Sequence, residues 1–491
     1  MTTRIKMSFV VWMTVVVATG CSMDSSIEEQ YTAEKMLYKA GKLYQRVLIN
    51  PRIARQLDYN DAIAAYRKIL HRYAKVTHPV IDNIKKQCFL IISELWLLQG
   101  EVKMATEVYD DFLAAYPEDN DLGSLIRFAN AKSNERLFNL DKAISEYQIL
   151  IDDFGTIEDP SQPSLNVLSL PLKVARLERS GSNGVNGNDG YQEALAYYSN
   201  IVATHPGSPA AFVASFHLAS IHGDQQQWRK EIRTLTRLVK DYPDRPEIPQ
   251  ILLSVGNIYL DGLNNHNESD RIFTRLLQKY PEHQITGYVH FAKSRVLIAR
   301  RRLEEARKLL SWIIENFGSD QNLCSACQLT MARTYEDQGN WERALVEYRW
   351  VQEKYPTTPQ GLFVPTYIAQ KYQQQGDRNL ATPAFQDAIS HYSNLIKKFP
   401  RTVLAGMAQE YIIYCHSAQE NWEQALTAAS NLEHILPGTR SRMKSTLVQG
   451  QLFEKMRQFD KAAKMYEEFT GAFPNHPIGE QIQERIRSLR R

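Results

Sequence analysis

Apolar positions recur along most of this chain with the spacing of paired helices. In the stretch Gln338 to Pro356, QGNWERALVEYRWVQEKYP, Ala344 and Tyr348 stand four residues apart and fall on one helical face. Gly339 sits in the turn before that helix, and Tyr355-Pro356 stops it. Further back, Ala332 and Tyr335 share one face of a preceding helix. The pattern therefore predicts two antiparallel helices joined by a short turn.

With Ala344 as a ruler, the unit occurs eleven times, centred on Ala62, Ala105, Ala143, Ala194, Glu231, Ser269, Ala306, Ala344, Ala388, Ala425 and Ala462. Most intervals are 37 or 38 residues, with 43, 44 and 51 where material is inserted. Four residues after each centre comes Tyr66, Tyr109, Tyr147, Tyr198, Leu235, Phe273, Leu310, Tyr348, Tyr392, Ala429 or Tyr466, and only Ala429 lacks a large apolar side chain. An aromatic-proline pair marks many helix ends, as at Tyr116-Pro117, Tyr242-Pro243, Tyr280-Pro281, Phe399-Pro400 and Phe473-Pro474. A small residue at the centre lets two helices cross closely, and the aromatic fills the groove one turn away.

Three irregularities interrupt the array. Asn50-Pro51 ends a long first helix over 31–49. Between Gly155 and Gly190, Pro160, Pro163, Pro171 and the run GSNGVNGNDG predict an excursion without helix, a loop insertion near 156–190. In the ninth unit, Gly376 and Ala381 hold the expected positions but Ala388 matches Phe399-Pro400, which predicts a second helix about two turns longer.

Ala332, Tyr335, Gly339, Ala344, Tyr348 and Pro356 carry a resemblance to the tetratricopeptide repeat, over roughly 31–480. The family repeat is about 34 residues, shorter than the unit here. The resemblance implies an all-α fold, an α-solenoid of about eleven helix-turn-helix repeats wound into a superhelix. It implies that the Ala and Tyr positions are structural, since stacked repeats share one continuous core. It also implies that the second, fifth, ninth and twelfth positions of the first helices contact ligand. On this chain these include Tyr288, Phe291 and Arg295 in repeat seven, Phe363 and Gln370 in repeat nine, and Glu410 and Tyr414 in repeat ten. Leu329 and Arg333 stand where the carboxylate-clamp version has Lys and Asn, so binding of chaperone C-termini is not implied.

The first twenty residues differ from the rest. Arg4 and Lys6 form a basic head, and Met7 to Ala18 is an apolar run too short to span a bilayer. Ala18-Thr19-Gly20-Cys21 follows and resembles a bacterial lipobox, with Ala18 where Leu is usual. That resemblance implies a signal peptide over 1–20, acylation of Cys21, and a short tether over 21–30 that spans roughly 30 Å at full extension. Removing Arg4 and Lys6 takes the formal charge from +3 to +1, a balance that offers nucleic acid no general attraction. The local clusters Arg300-Arg301-Arg302 and 481–491, with Arg485, Arg487, Arg490 and Arg491, read as a solvated turn and a basic terminal helix.

Candidate chemistry is sparse. Cys324 and Cys327 form a C-x-x-C inside a predicted helix among Leu323, Ala326 and Leu329, which reads as packing. Cys88 and Cys415 fall in first helices as well. His205, His222, His290 and His416 occupy packing or capping positions. No P-loop, dinucleotide fingerprint, H-E-x-x-H or G-x-S-x-G occurs, so neither an enzyme nor a cofactor or metal is expected. The sequence points to a lipid-anchored scaffold of the cell envelope, at the outer membrane and facing the periplasm, that binds envelope proteins or peptides. It is similar to lipoproteins of the BamD and Tol-Pal periplasmic type. Two further readings are an accessory lipoprotein of exopolysaccharide export or synthesis and a regulator of peptidoglycan enzymes.

Overall fold

The computed structural model describes residues 25–51, 54–157, 159, 164–181 and 190–490. The expected signal peptide over 1–20 and Cys21 lie outside them. Among the described residues every element is a helix, and the helices come as pairs in chain order. The chain divides into two compact units, Met1–Leu95 and Trp96–Arg491. The first holds the pair Ser25–Ile49 and Gln56–Arg72 with most of the helix Pro79–Gln99.

The second unit contains the remaining pairs. Val102–Ala115 completes repeat two, and Asn120–Arg136 with Leu140–Phe154 forms repeat three. Leu170–Gly181 with Tyr191–Thr204 is repeat four, and Pro209–Asp224 with Trp228–Asp241 repeat five. In repeat six Ile248–Asn257 continues through a π-turn, Ile258–Gly262, before His266–Lys279. Thr286–Ala299 with Leu303–Asn316, Gln321–Asp337 with Trp341–Lys354, and Pro359–Gln374 with Arg378–Lys398 are repeats seven to nine. Val403–Ala418 with Trp422–Ser430 and Thr439–Lys455 with Phe459–Ala472 are repeats ten and eleven, and Gly479–Leu489 follows.

Local chemistry explains these boundaries. Side chains of Asp119, Ser208, Asp320 and Thr358 cap first helices, and Asn265, Asn340 and Asp377 cap second helices, each accepting from an N–H three residues on. At the other end, Tyr116, Tyr242, Tyr280, Tyr355, Phe399 and Phe473 leave the helical region, with φ between −126° and −134°, immediately before proline. Their own N–H groups still bond to the carbonyl four residues back. In nine of the repeats the turn between the two helices holds one residue at positive φ. Gly100, Phe138, Gln226, Asn264, Arg301, Gly339, Glu420 and Arg457 hold it five residues before a centre, and Gly376 five before Ala381.

The crossing residues are almost wholly enclosed. Ala62, Ala105, Ala143, Ala306, Ala344, Ala425 and Ala462 are 0% exposed, Ala388 1% and Ala194 2%. Ser269 is also enclosed, and its hydroxyl donates to Gly256 O at 2.9 Å. The core runs from repeat to repeat: Ala332, Ala344, Tyr348 and Val351 pack with Val364 and Ile368 of the next first helix. Leu432, three residues after Ala429, is 1% exposed.

Two expectations need correction. The tether expected over 21–30 is helical from Ser25, the first described residue. The excursion over 156–190 is not loop throughout, because Leu165–Leu168 and Leu170–Gly181 are helical. Pro171 stands in the first turn, where its missing N–H has no intrahelical partner to lose. The run GSNGVNGNDG, apart from its end glycines, lies outside the described residues. The basic C-terminal end is helical as expected, over Gly479–Leu489: Ile486 packs on Ala462, Ala463 and Tyr466, Arg485 Nε is 2.9 Å from Glu454 Oε2, and Arg490 pairs with Glu467.

Within the second unit, early and late repeats touch. The N–H and hydroxyl of Thr439 both donate to Gly100 O, at 3.1 and 2.7 Å. Arg442 pairs with Glu101 at 2.8 Å, Asn475 Nδ2 donates to Asn139 Oδ1 at 2.6 Å, and the rings of Phe138 and His476 lie 4.3 Å apart. A side chain on Gly100 would place Cβ 2.5 Å from Gly438 Cα. Glycine is required there by close approach as well as by its φ of +81°.

Candidate partner-binding face

The first helices of the second unit carry large apolar side chains that the core does not use. Leu125 is 66% exposed, Phe216 44%, Tyr288 42%, Tyr414 41% and Met407 38%. Counted from the crossing alanine, Leu125, Tyr288 and Met407 stand 18 residues before their own centres, Phe216 15 and Tyr414 11. These are three of the four register positions singled out above for ligand contact. A residue four to seven positions further along the same helix returns to the same side, so the exposed side chains form one face.

Polar contacts tie this face from one first helix to the next. Tyr288 donates to Asp320 Oδ2 at 2.6 Å, and this hydrogen bond, with burial, pushes its hydroxyl up to about 12. Asp320 Oδ1 meanwhile caps the following helix at Leu323 N, 3.0 Å away. Arg295 pairs with Asp261 at 2.5 Å, Gln370 donates to the Tyr414 hydroxyl, and Glu410 pairs with Lys444 at 2.5 Å. Phe291 and Phe363 are half-buried: Phe291 packs against the Leu310 and Ile313 cluster, and Phe363 lies 5.1 Å from the Tyr367 ring. Of the seven candidates, the structure thus places Tyr288 and Tyr414 outward, engages Arg295, Gln370 and Glu410 between helices, and turns Phe291 and Phe363 inward. Leu125, Phe216 and Met407 were missed, although the same register count applied to repeats three, five and ten points to them.

A cavity of about 620 Å³ opens beside this face in repeats three and four, lined by Leu125, Phe128, Phe154, Asn166 and Tyr197 among others. Tyr197 closes one side by donating to Gly155 O at 2.9 Å.

A second pattern lies beneath the face. Glu135, Glu336 and Glu454 each stand eight residues before a crossing alanine and accept from that repeat's tyrosine, Tyr147, Tyr348 or Tyr466. Each also meets a cation of the helix that follows its own repeat: Lys173 at 3.0 Å, Lys371 at 2.5 Å, or Arg485. Burial pushes the Glu336 carboxyl up, but hydrogen bonds from Lys371, Tyr348 and Tyr367 outweigh it and leave the group below the usual carboxylate range. The repeat tyrosine is therefore a hydrogen-bond donor as well as a groove filler.

Cys324 and Cys327 are buried in the helix Gln321–Asp337, and Cys324 Sγ lies 3.3 Å from Phe317 O. Burial pushes both thiols up, away from thiolate, with Cys88 reaching about 12 and Cys415 about 11. His290 meets the Trp312 ring edge-to-face with centroids 4.6 Å apart, and burial lowers His222, His290 and His416. His205 is the C-cap of Tyr191–Thr204. Of the basic clusters, Arg300 holds Asp270 at 3.2 Å and Arg302 holds Glu305.

A family profile described as tetratricopeptide repeat matches residues 213–245, 326–358 and 447–476. The chain carries tetratricopeptide repeats. The three matches fall in repeats five, eight and eleven of the array. No curated protein matches the array in sequence. Among solved structures, the yeast Tom70 is similar at 12% identity and a TM-score of 0.39, covering 94% of this chain and 96% of that one. A tetratricopeptide repeat protein from Parabacteroides merdae matches at 12% identity and 0.30, covering 57% of this chain and 99% of its own. The human IFIT1 dimer with m7Gppp-AAAA matches at 14% and 0.30, covering 87% and 94%. None of these weak superpositions transfers a function. The array is a protein-interaction scaffold by fold, an all-α solenoid of helix pairs.

Proposed function

We propose that this protein is a lipid-anchored scaffold of the bacterial cell envelope, tethered through Cys21 at the outer membrane and facing the periplasm, that binds protein partners through its first helices. Outer-membrane protein assembly, the work of lipoproteins of the BamD type, is the setting we favour. The order of basic head, apolar run and Ala18-Thr19-Gly20-Cys21 supports the address. The observation that carries the binding role is the run of exposed Leu125, Phe216, Tyr288, Met407 and Tyr414 at register positions that the core leaves free. Partly apolar, partly hydrogen-bonded surfaces with aromatic anchors suit peptide and protein recognition.

A glycan-binding accessory of exopolysaccharide export would need free carboxylates beside exposed aromatics. Here Asp320 is engaged by Tyr288 and Leu323, and Glu410 by Lys444. The mixed apolar face favours the protein partner. The test is crosslinking and capture from envelope fractions of the wild type and of Cys21→Ser. Recovery of barrel-assembly subunits with the wild type, lost with Cys21→Ser, is the expected result. Recovery of polysaccharide-export proteins would replace it, and an unlipidated wild type in the cytosol would remove the envelope reading.

A further inference from the structure

The helix Ser25–Ile49 presents two unlike faces. Ala33, Ala40 and Val47 recur every seven residues and are at most 1% exposed. They are the inward side, where the helix packs on Gln56–Arg72. On the other side, Ile27, Tyr31, Tyr38 and Ile49 are 50%, 59%, 62% and 84% exposed. At about 100° per residue these four fall within an arc of about 40°, a single stripe along the helix. The outer face of a terminal element in a repeat array is ordinarily polar, because no further repeat covers it. This one is apolar.

Exposed cations border the stripe along one edge: Lys35, Lys39, Lys42 and Arg46. Lys42 Nζ lies 4.6 Å from the centre of the Tyr38 ring and Lys35 Nζ 5.9 Å from that of Tyr31. Glu28, Glu29 and Glu34 all precede Lys35, so the part from Lys35 to Ile49 carries positive charge alone.

We propose that this face lies on an anionic lipid surface, with the stripe at the headgroup boundary and the cations over lipid phosphates. The proposal rests on the reading of Cys21 as the acylated residue. Three residues, Ser22 to Asp24, lie between the anchor and the first described residue of the helix, so whatever their conformation the two are within roughly 10 Å of chain, which keeps Ile27 and Tyr31 near the membrane surface. Tyrosine suits that boundary, with an apolar ring and a hydroxyl that stays wet. Lysine and arginine near an anionic leaflet add an attraction that falls off with salt. Acyl chains and helix would then act as two signals, the combination that stable peripheral anchoring requires.

The test uses the unacylated chain beginning at Ser22, which keeps every described residue. It is sedimented with vesicles of phosphatidylcholine alone and with about one third phosphatidylglycerol added. The expected result is binding to the anionic vesicles that weakens with salt, and at least a tenfold loss of partition in Tyr31→Glu/Tyr38→Glu. Both side chains are exposed, so the variant's circular dichroism should match the wild type. Equal sedimentation of wild type and variant would overturn the proposal, as would failure of the wild type to prefer the anionic vesicles. A dimer at micromolar concentration that the same variant abolishes would assign the stripe to a second copy instead. Mass measurement of Cys21 in the full-length chain from envelope fractions tests acylation without reference to the helix. The two failures are therefore distinguishable.

Discussion

Ala344 and Gly339 show how much a single position is constrained. Ala344 is 0% exposed at a helix crossing beside Tyr348 and Val351. Ala344→Leu adds three carbons where no space remains, and a loss of about 1–3 kcal/mol is expected in denaturant unfolding. Gly339 has φ +78° and nothing within 4 Å of a would-be Cβ. Gly339→Ala therefore meets only the backbone penalty of the left-handed region, about 1 kcal/mol. Six repeats accept that penalty with Phe138, Gln226, Asn264, Arg301, Glu420 or Arg457 in the same turn. Gly339 made the turn legible in the sequence, whereas nothing in the character of Arg301 or Glu420 announces positive φ. The hydroxyl contact from Tyr348 to Glu336 was equally hidden, because an aromatic four residues from an alanine reads first as packing.

The helices themselves were largely written in the apolar pattern. The ninth repeat has a second helix of 21 residues where the eighth has 14, and both Ala381 and Ala388 are buried along it, as the displaced stop at Phe399-Pro400 indicates. The pattern misled where proline was read only as a breaker. Pro171 occupies a first turn, so a segment rich in breakers still supplies the first helix of repeat four. Contacts between helices left fainter traces, since partners some 31 to 44 residues apart show only when repeats are aligned on their centres. One such contact gives a pH test. The Glu336 carboxyl lies below the usual range, so its stabilisation is complete above the unfolded value of about 4.3 and is lost as pH falls through the folded value. The stability difference between wild type and Glu336→Gln should be present at neutral pH and shrink as pH falls below about 4. A difference that stays constant down to pH 3 would contradict the arrangement of Lys371, Tyr348 and Tyr367 around this carboxylate.

At the scale of the whole molecule, contact between early and late repeats of the second unit has no signature in the repeat pattern, because it joins positions more than 330 residues apart. Two glycines separate its effect from that of the turn. Gly100 and Gly339 share the same positive φ, but only at Gly100 would a Cβ meet another backbone, that of Gly438. Gly100→Ala should therefore destabilise the second unit more than Gly339→Ala, and Arg442→Ala should remove part of the extra loss by weakening the contact first. Equal effects of the two glycine substitutions would argue against the closure. The central claim is that alanine, tyrosine and proline build the array while function resides in the register positions between them. Photo-crosslinking tests it most directly, with a photoreactive side chain placed in turn at Phe216, Tyr288, Met407 and Tyr414 on first helices and at Val346 and Trp350, also exposed, on a second helix. The account predicts adducts of one common partner mass from the first-helix positions in envelope preparations and none from Val346 or Trp350. Adducts from the second helix alone, or equally from both, would contradict it.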